Sequence, residues 1–105
     1  MECTFVAPGE DGFEGAILEG DCDLYSAPAF AKAALSRIAS GAKRLRLDLS
    51  RVEYLDSSGV GALIRILQEA RRRGCELRFV GVGGSPRKVL KMTNVLNLMH
   101  EENRP

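Results

Sequence analysis

The fold is decided by the stretch Leu47-Asp48-Leu49-Ser50-Arg51-Val52-Glu53-Tyr54-Leu55-Asp56-Ser57-Ser58-Gly59-Val60-Gly61. Around its start, Leu45, Leu47 and Leu49 alternate with charged residues, which is the period of a strand with one buried face. From Val60 onward, apolar residues recur every three or four positions, the period of an amphipathic helix. Asp56-Ser57-Ser58-Gly59 therefore marks a junction between a strand and a helix.

This junction places two serine hydroxyls at the start of a helix. The first backbone N–H groups of a helix have no partner within the helix, and the helix dipole adds partial positive charge there. We expect Ser57 or Ser58 to cap the helix by accepting one of these N–H groups. The same position would also receive an anion well, such as a phosphate on the hydroxyl. The residues alone leave an ordinary cap and a phosphorylation switch both open.

Length and composition limit the function. A chain of 105 residues forms one domain that can bury a core of its own. With 15 Lys and Arg against 14 Asp and Glu, the net charge of +1 argues against general binding to nucleic acids or anionic membranes. Cys3, Cys22 and Cys75 are odd in number and form no CxxC pair, which predicts reduced thiols, no disulfide framework and no metal site.

The N-terminus carries no recognisable targeting segment. Met1-Glu2-Cys3-Thr4 starts with an acidic residue and lacks the basic and apolar regions of a secretory signal. No apolar run approaches the length of a transmembrane helix. We therefore expect a cytoplasmic protein without membrane insertion.

The rest of the chain alternates between strand and helix patterns. The predicted elements, in order, are a hairpin over 3–7 and 15–18, a helix capped by Ser26 and ended by Gly41, a strand over 44–49, a helix from the junction to Gly74, a strand over 76–81, a helix from Ser85 to Met92 and a short strand or helical turn over 95–99. The stripe Val60, Leu63, Ile64 and Leu67 is expected to face the core. Residues 100–105 are expected to form a frayed tail.

This alternation, with short linkers, predicts an α/β sandwich. We expect a single domain, with a mixed sheet of four to five strands packed with about three to four helices. The Asp-Ser-Ser-Gly junction then lies at the carboxyl end of a strand. Open α/β sheets tend to place ligands and functional groups at that edge.

Enzymatic functions find little support. A hydrolytic serine needs a nearby base, and the single histidine, His100, lies in the tail beside two glutamates. Gly81-Val82-Gly83-Gly84 lacks the later residues of a dinucleotide fingerprint or a P-loop and predicts a flexible connection. Arg71-Arg72-Arg73 occupies the last turn of the central helix, where cations complement the dipole. We expect no catalytic residue, no cofactor and no metal.

Two acidic residues precede the first helix. Asp21 and Asp23 could lie at the same edge as Ser57, or they could be turn and cap residues before Ser26. Their spacing leaves both interpretations open.

Several segments together resemble the STAS domain of bacterial anti-sigma factor antagonists. The match is carried by Leu47-Asp48-Leu49-Ser50 and by Val52 to Gly61, which contains the Asp-Ser-Ser-Gly motif. Gly20-Asp21-Cys22-Asp23 resembles the family's Gly-x-x-Asp segment before its first helix, and later segments are similar at Gly74-Cys75-Glu76-Leu77 and Ser85-Pro86-Arg87-Lys88-Val89-Leu90. The resemblance covers about residues 14–98 and implies a STAS-like sandwich.

In that family, the first serine of the motif is phosphorylated by an anti-sigma factor that is also a serine kinase of the histidine-kinase-like ATPase fold. The unphosphorylated protein binds this anti-sigma factor and frees the sigma factor, and a PP2C-type phosphatase restores it. The resemblance thus implies Ser57 as the acceptor and Ser58 as a supporting serine. Asp23 and Asp56 match family positions close to the acceptor. We expect a partner-binding edge that comprises Asp23, Tyr25, Asp56, Ser57, Ser58, Gly59 and Val60, with Arg65 nearby.

The sequence departs from the family near its end, where the family usually continues into another substantial helix. Here a charged segment follows at once, so we expect a C-terminal helix that is short or absent. Apolar surface left uncovered would be compatible with a homodimer.

The family also suggests other functions. Its members serve as subunits of lipid-trafficking ABC transporters and as scaffold modules in stress signalling. The alternative here is such a constitutive binding subunit, in which the serine pair would merely cap the helix. A small-ligand binder that uses the helix start comes third.

Overall fold

A computed structural model describes residues 1–102. Its elements are β1 (Glu2–Val6), β2 (Glu14–Cys22), α1 (Ala27–Ala39), β3 (Arg44–Leu55), α2 (Ser57–Arg73), β4 (Glu76–Val80), α3 (Gly84–Met92) and a single 3₁₀ turn (Leu96–Leu98). The sheet order is β1-β2-β3-β4, with β1 antiparallel to β2 and the other two pairs parallel. The predicted α/β fold with a mixed sheet, three helices and an N-terminal hairpin is confirmed.

Strand β3 explains the spacing of the apolar residues in the deciding stretch. While β2 advances two residues from Ile17 to Glu19, β3 advances three, from Asp48 to Arg51, and a second such shift follows. Each extra residue is a bulge that reverses the side-chain alternation. The buried positions therefore pass from Leu49 to Val52 and Leu55 at intervals of three, and the strand predicted over 44–49 continues to Leu55.

The core lies between the leucine face of β3 and the helices. Leu45, Leu47 and Leu49 are buried there, and each buried leucine stabilises the fold by about 1.5–3 kcal/mol. Helix α1 buries Ala27, Phe30, Ala31, Ala34 and Ile38, and Leu35 is half-buried. In α2 the stripe is rotated from the prediction: Ile64 and Leu67 are half-buried, and the buried residues are Gly59, Val60, Ala62, Leu63, Ile66 and Ala70.

The segment from His100 to Glu102 is ordered against β4, so the prediction of a frayed tail is wrong for these residues. The Phe79 N–H donates to the His100 carbonyl at 2.8 Å, and the Glu102 N–H donates to the Phe79 carbonyl at 2.8 Å. Glu102 also pairs with Arg46 at 2.8 Å. Backbone pairing and a charge-assisted contact hold the segment, and neither has a periodic sequence signal. Residues 103–105 of the predicted tail lie outside the described part of the chain.

Within residues 1–102 the last helical element is the 3₁₀ turn, which fits the expectation of a short or absent C-terminal helix. Beside it, a groove of about 660 Å³ runs between the C-terminal half of α2 and β4. Leu98 on its rim is 60% exposed. The homodimer expected from such uncovered surface stays a prediction.

Candidate functional site

The site is built where two parallel strands end side by side. Cys22, the last residue of β2, pairs with Leu55, the last residue of β3. The Asp56 N–H donates to the Cys22 carbonyl at 3.2 Å, which fixes the start of α2 against the end of β2. The loop that follows β2, residues 23–26, therefore lies next to the Asp-Ser-Ser-Gly junction.

Asp56, and neither serine, caps helix α2. Its Oδ1 accepts the N–H groups of Ser58 at 2.9 Å and Gly59 at 3.1 Å. The prediction that Ser57 or Ser58 is the cap is therefore wrong. Asp caps helices as well as Ser does, and Asp56 holds the cap position because α2 begins at Ser57.

The two serines occupy the first turn of α2. Ser57 is exposed and Ser58 is half-buried. Among the side-chain hydrogen bonds of residues 1–102, none uses the Ser57 hydroxyl. Ser57 thus presents an uncommitted hydroxyl at the positive end of a 17-residue helix.

Asp23 organises the neighbouring loop. Its Oδ1 accepts the N–H groups of Tyr25 and Ser26, both at 3.0 Å. The backbone hydrogen bond from Ser26 is the largest cause that lowers the pKa of Asp23. Asp23 is therefore both a turn residue and a member of the Ser57 edge, so the two interpretations of this position are compatible.

Ser26 does not cap α1 with its side chain, although the sequence predicted this cap. It stands at the cap position, but its side chain makes no capping hydrogen bond. Its hydroxyl instead donates to the Asp21 carbonyl at 2.7 Å and accepts the Asp23 N–H at 3.0 Å. Asp21 enters this loop network through its backbone, while its side chain is exposed.

A second oxygen of Asp56 reaches this loop. Asp56 Oδ2 accepts the Leu24 N–H at 3.1 Å, across 32 positions of sequence. Leu24 is 63% exposed and Tyr25 is 89% exposed, so the loop presents two large side chains beside Ser57. Sequence reasoning missed Leu24, although a leucine among polar loop residues was a usable signal.

Gly59 and Val60 lie beneath this surface. Both are buried, so they support the predicted partner-binding edge and do not form its contact surface. A Cβ on Gly59 would meet the Leu55 side chain and would lie 2.6 Å from the Cys22 carbonyl oxygen. Gly59 is thus the residue that lets α2 start in close contact with the end of β2.

The Cys22 thiol and the His100 imidazole are the groups to consider if Ser57 were to act in hydrolysis. Burial, with the charges of Asp56 and Asp23, raises the pKa of the Cys22 thiol to about 11, so this thiol is protonated and unreactive at neutral pH. His100 lines the groove beside Arg71, at the opposite end of α2 from Ser57. Within residues 1–102, no cluster of His, Cys, Asp and Glu side chains could hold a metal ion.

Two further expectations concern charge and membranes. Arg72 and Arg73 at the end of α2 both pair with Glu69, Arg73 at 2.8 Å, as expected for a solvated helix end.

In the described range of 102 residues, no helix has the length and apolar character needed to cross a membrane.

Fold and site together define a small α/β domain that presents a serine hydroxyl at an aspartate-capped helix start, beside an exposed loop. The family model described as "Mlab, STAS domain" matches residues 16–100. The chain therefore belongs to the STAS domain family.

Several relatives are named anti-sigma factor antagonists. The anti-sigma-B factor antagonist of Staphylococcus aureus is 25% identical over 100 residues, which cover 95% of this chain and 93% of that protein. The crystal structure of an anti-sigma factor antagonist from Mycobacterium paratuberculosis matches with a TM-score of 0.81 at 23% identity, over 98% of this chain and 87% of that one.

The antagonist SpoIIAA shares the fold in two states. Its unphosphorylated form matches with a TM-score of 0.74 at 16% identity, over 99% of this chain and 90% of SpoIIAA. Its phosphorylated form, from Bacillus, matches with a TM-score of 0.73 at 17% identity, over 98% and 93%. Both states of that protein therefore have the fold of this chain.

Proposed function

We propose that this chain is an anti-sigma factor antagonist whose binding is switched by phosphorylation of Ser57. Unphosphorylated, it binds an anti-sigma factor that is also a serine kinase, in the cytoplasm. The carrying observation is the exposed Ser57 hydroxyl, which is not needed as a cap because Asp56 is the cap of α2. A hydroxyl without a structural task at a helix start suits a phosphate acceptor.

The relatives support this proposal. The names of the S. aureus and M. paratuberculosis proteins state antagonism of an anti-sigma factor. SpoIIAA has been solved both with and without phosphorylation, with TM-scores of 0.73 and 0.74 to this chain. A phosphorylated state is therefore compatible with a STAS fold, and the switch at Ser57 changes a surface while the fold persists.

The phosphoryl transfer leaves most of the chemistry to the partners. The γ-phosphoryl group of ATP on the kinase passes to Ser57 Oγ, the bond to ADP breaks, and the hydroxyl proton goes to a base on the kinase or to solvent. A PP2C-type phosphatase reverses the modification by hydrolysis, in which water takes the phosphoryl group. This chain supplies the nucleophile and its position.

The phosphate weakens binding through its charge. It adds roughly −1.5 to −2 charges beside the carboxylates of Asp56 and Asp23. In an interface from which water is excluded, an unpaired charge costs several kcal/mol, on the order of 3–5. The helix dipole offsets only a part of this, about 0.3–1 kcal/mol at an exposed helix end.

The proposed contact surface surrounds Ser57. It consists of Asp23, Tyr25, Asp56, Ser57 and Ser58, supported from below by Gly59 and Val60, and we add Leu24. Large exposed side chains such as Tyr25 and Leu24 supply apolar contact area, and tyrosine is enriched among residues that dominate binding energy. The loop is held by Asp23, so these side chains meet the partner from an ordered backbone.

Phosphorylation by the anti-sigma factor and kinase from the same genome tests this proposal. The chain is incubated with that kinase and ATP, and phosphopeptides are mapped by mass spectrometry. We expect phosphate on Ser57 in the wild type and in Ser58→Ala, and none in Ser57→Ala. Phosphate on neither serine would overturn the proposal.

The alternative, a constitutive subunit of a lipid-trafficking ABC transporter, needs the serines only as caps. The capping role of Asp56 removes that need. Capture of partners with the wild type, Ser57→Ala and Ser57→Asp separates the two functions. Loss of the anti-sigma factor with Ser57→Asp alone supports the switch, whereas equal capture of a transporter ATPase by all three supports the alternative.

A further inference from the structure

The carboxylate of Asp56 belongs to two parts of the site at once. Oδ1 holds the N–H groups of Ser58 and Gly59, and Oδ2 holds the N–H of Leu24. The first contacts are local to α2, whereas the third joins α2 to the loop after β2. A single side chain therefore sets the position of the loop relative to the acceptor serine.

We propose that Asp56 is a positioning residue that couples Ser57 to the loop from Asp23 to Ser26, so that phosphate on Ser57 releases the Leu24 backbone. This inference rests on the proposed function for its biological meaning. It extends that function because it gives the switch a second effect, on the loop that carries Leu24 and Tyr25.

The coupling follows from competition for the same donors. A phosphate on Ser57 Oγ stands at the first helical position, next to the N–H groups that Asp56 already holds. Three phosphate oxygens are strong acceptors, and two anions at one helix end repel each other. The carboxylate of Asp56 turns away from the phosphate, and the Leu24 N–H loses its acceptor.

Only part of the loop depends on Asp56. Tyr25 and Ser26 donate to Asp23, which lies within the loop and is not displaced. The Leu24 N–H has Asp56 as its acceptor from across the junction. Loss of that contact loosens the end of the loop that presents Leu24 while the turn at Ser26 persists.

The test installs phosphoserine at position 57 by genetic incorporation, so that no kinase is needed, and measures amide hydrogen exchange by NMR. We expect exchange at Leu24 to accelerate by about tenfold when its hydrogen bond is lost. The Leu47 amide, in β3 between β2 and β4, belongs to a fully buried residue and serves as the reference for global unfolding. Phosphoserine at Ser85, an exposed serine in the first turn of α3, is the matched control and leaves Leu24 unchanged.

A second variant separates coupling from capping. Asp56→Ser keeps a side chain that can cap α2. Serine has a single, closer oxygen, so it cannot also accept the Leu24 N–H. We expect fast exchange at Leu24 in this variant, with no further acceleration from phosphoserine at position 57. Additional acceleration in Asp56→Ser would show that the phosphate acts by another route and would overturn the coupling.

The remaining outcomes are equally decisive. Unchanged exchange at Leu24 with phosphoserine at position 57, or the same acceleration from position 85, overturns the coupling. Either outcome is measured on the isolated chain, without the anti-sigma factor, so it does not bear on the proposed function. Faster exchange at Leu24 in a chain that the anti-sigma factor binds regardless of phosphorylation would support the coupling and refute the switch.

Discussion

The starts of α2 and α3 both carry an exposed serine after a strand, but the groups around the two serines differ. Each helix follows a strand of the parallel part of the sheet and has an exposed serine in its first turn, Ser57 and Ser85. Helix α3 is preceded by Gly83, which offers no side-chain cap. Helix α2 has the Asp56 carboxylate, which binds its own first turn and the loop after β2. A serine at a helix start is thus a weak signal, and the carboxylate and loop beside it make the site.

The largest expected effect breaks the close contact at the start of α2. Gly59→Ala places a Cβ against the Cys22 carbonyl, and we expect a loss of about 1–3 kcal/mol in the free energy of unfolding. Gly61 lies two residues further along the same helix, and a Cβ there would meet nothing within 4 Å. Gly61→Ala should therefore raise the free energy of unfolding by about 0.5–1 kcal/mol. Urea denaturation measures both. Equal effects from the two changes would contradict the packing account.

The next effect removes the cap. Asp56→Ala frees the N–H groups of Ser58 and Gly59, and we expect a loss of about 1–2 kcal/mol in unfolding free energy. Thermal unfolding is the measurement. Ser85→Ala at the start of α3 is the control and should stay within about 0.5 kcal/mol of the wild type. A fully stable Asp56→Ala would show that the cap is dispensable.

A smaller effect is expected at the acceptor itself. Ser57→Ala removes a hydroxyl that makes no hydrogen bond within residues 1–102, so stability should change by less than about 0.5 kcal/mol. The same denaturation experiment checks this. A loss above about 1 kcal/mol in the free energy of unfolding would show that Ser57, and not Asp56 alone, caps α2.

The smallest effect concerns acid. Because the pKa of Asp23 is lowered in the fold, its contribution to stability is present above its ordinary pKa of 3.8 and is lost as the pH falls through the lowered value. Asp23→Asn should therefore lose less stability than the wild type on acidification below about pH 5. Asp21→Asn is the control, since only the backbone of Asp21 joins the loop network. The measurement is the free energy of unfolding as a function of pH. If it falls equally for all three proteins, the pKa of Asp23 is not the cause of the acid dependence.

The sequence predicted the elements far better than their ends. The strand and helix periods located β3 and α2, but the bulges of β3 hid the continuity between Leu49 and Leu55. Backbone pairing at Phe79 ordered the segment from His100 to Glu102, which looks like a charged tail in sequence. Both misses arise from contacts between distant residues, which leave no local periodicity.

The site was predictable to a similar degree. The Asp-Ser-Ser-Gly motif and the strand edge pointed to Ser57 and its neighbours, and Asp23, for which the spacing left two interpretations open, lies in the loop next to them. The identity of the cap was not predictable, because Asp and Ser both make good caps and the exact helix start decides between them. The contact between Asp56 and Leu24 spans 32 positions and follows only from the parallel pairing of β2 with β3.

The most direct test of the central claim is the affinity of the chain for the anti-sigma factor of its own genome, with phosphoserine at position 57 and, as the control, at position 85. Isothermal titration calorimetry gives both values against the unmodified chain. The cost of an unpaired charge, less the part that the helix dipole offsets, predicts a loss of at least about 30-fold in affinity for position 57 and little change for position 85. Equal affinity of all three forms would contradict a switch at Ser57.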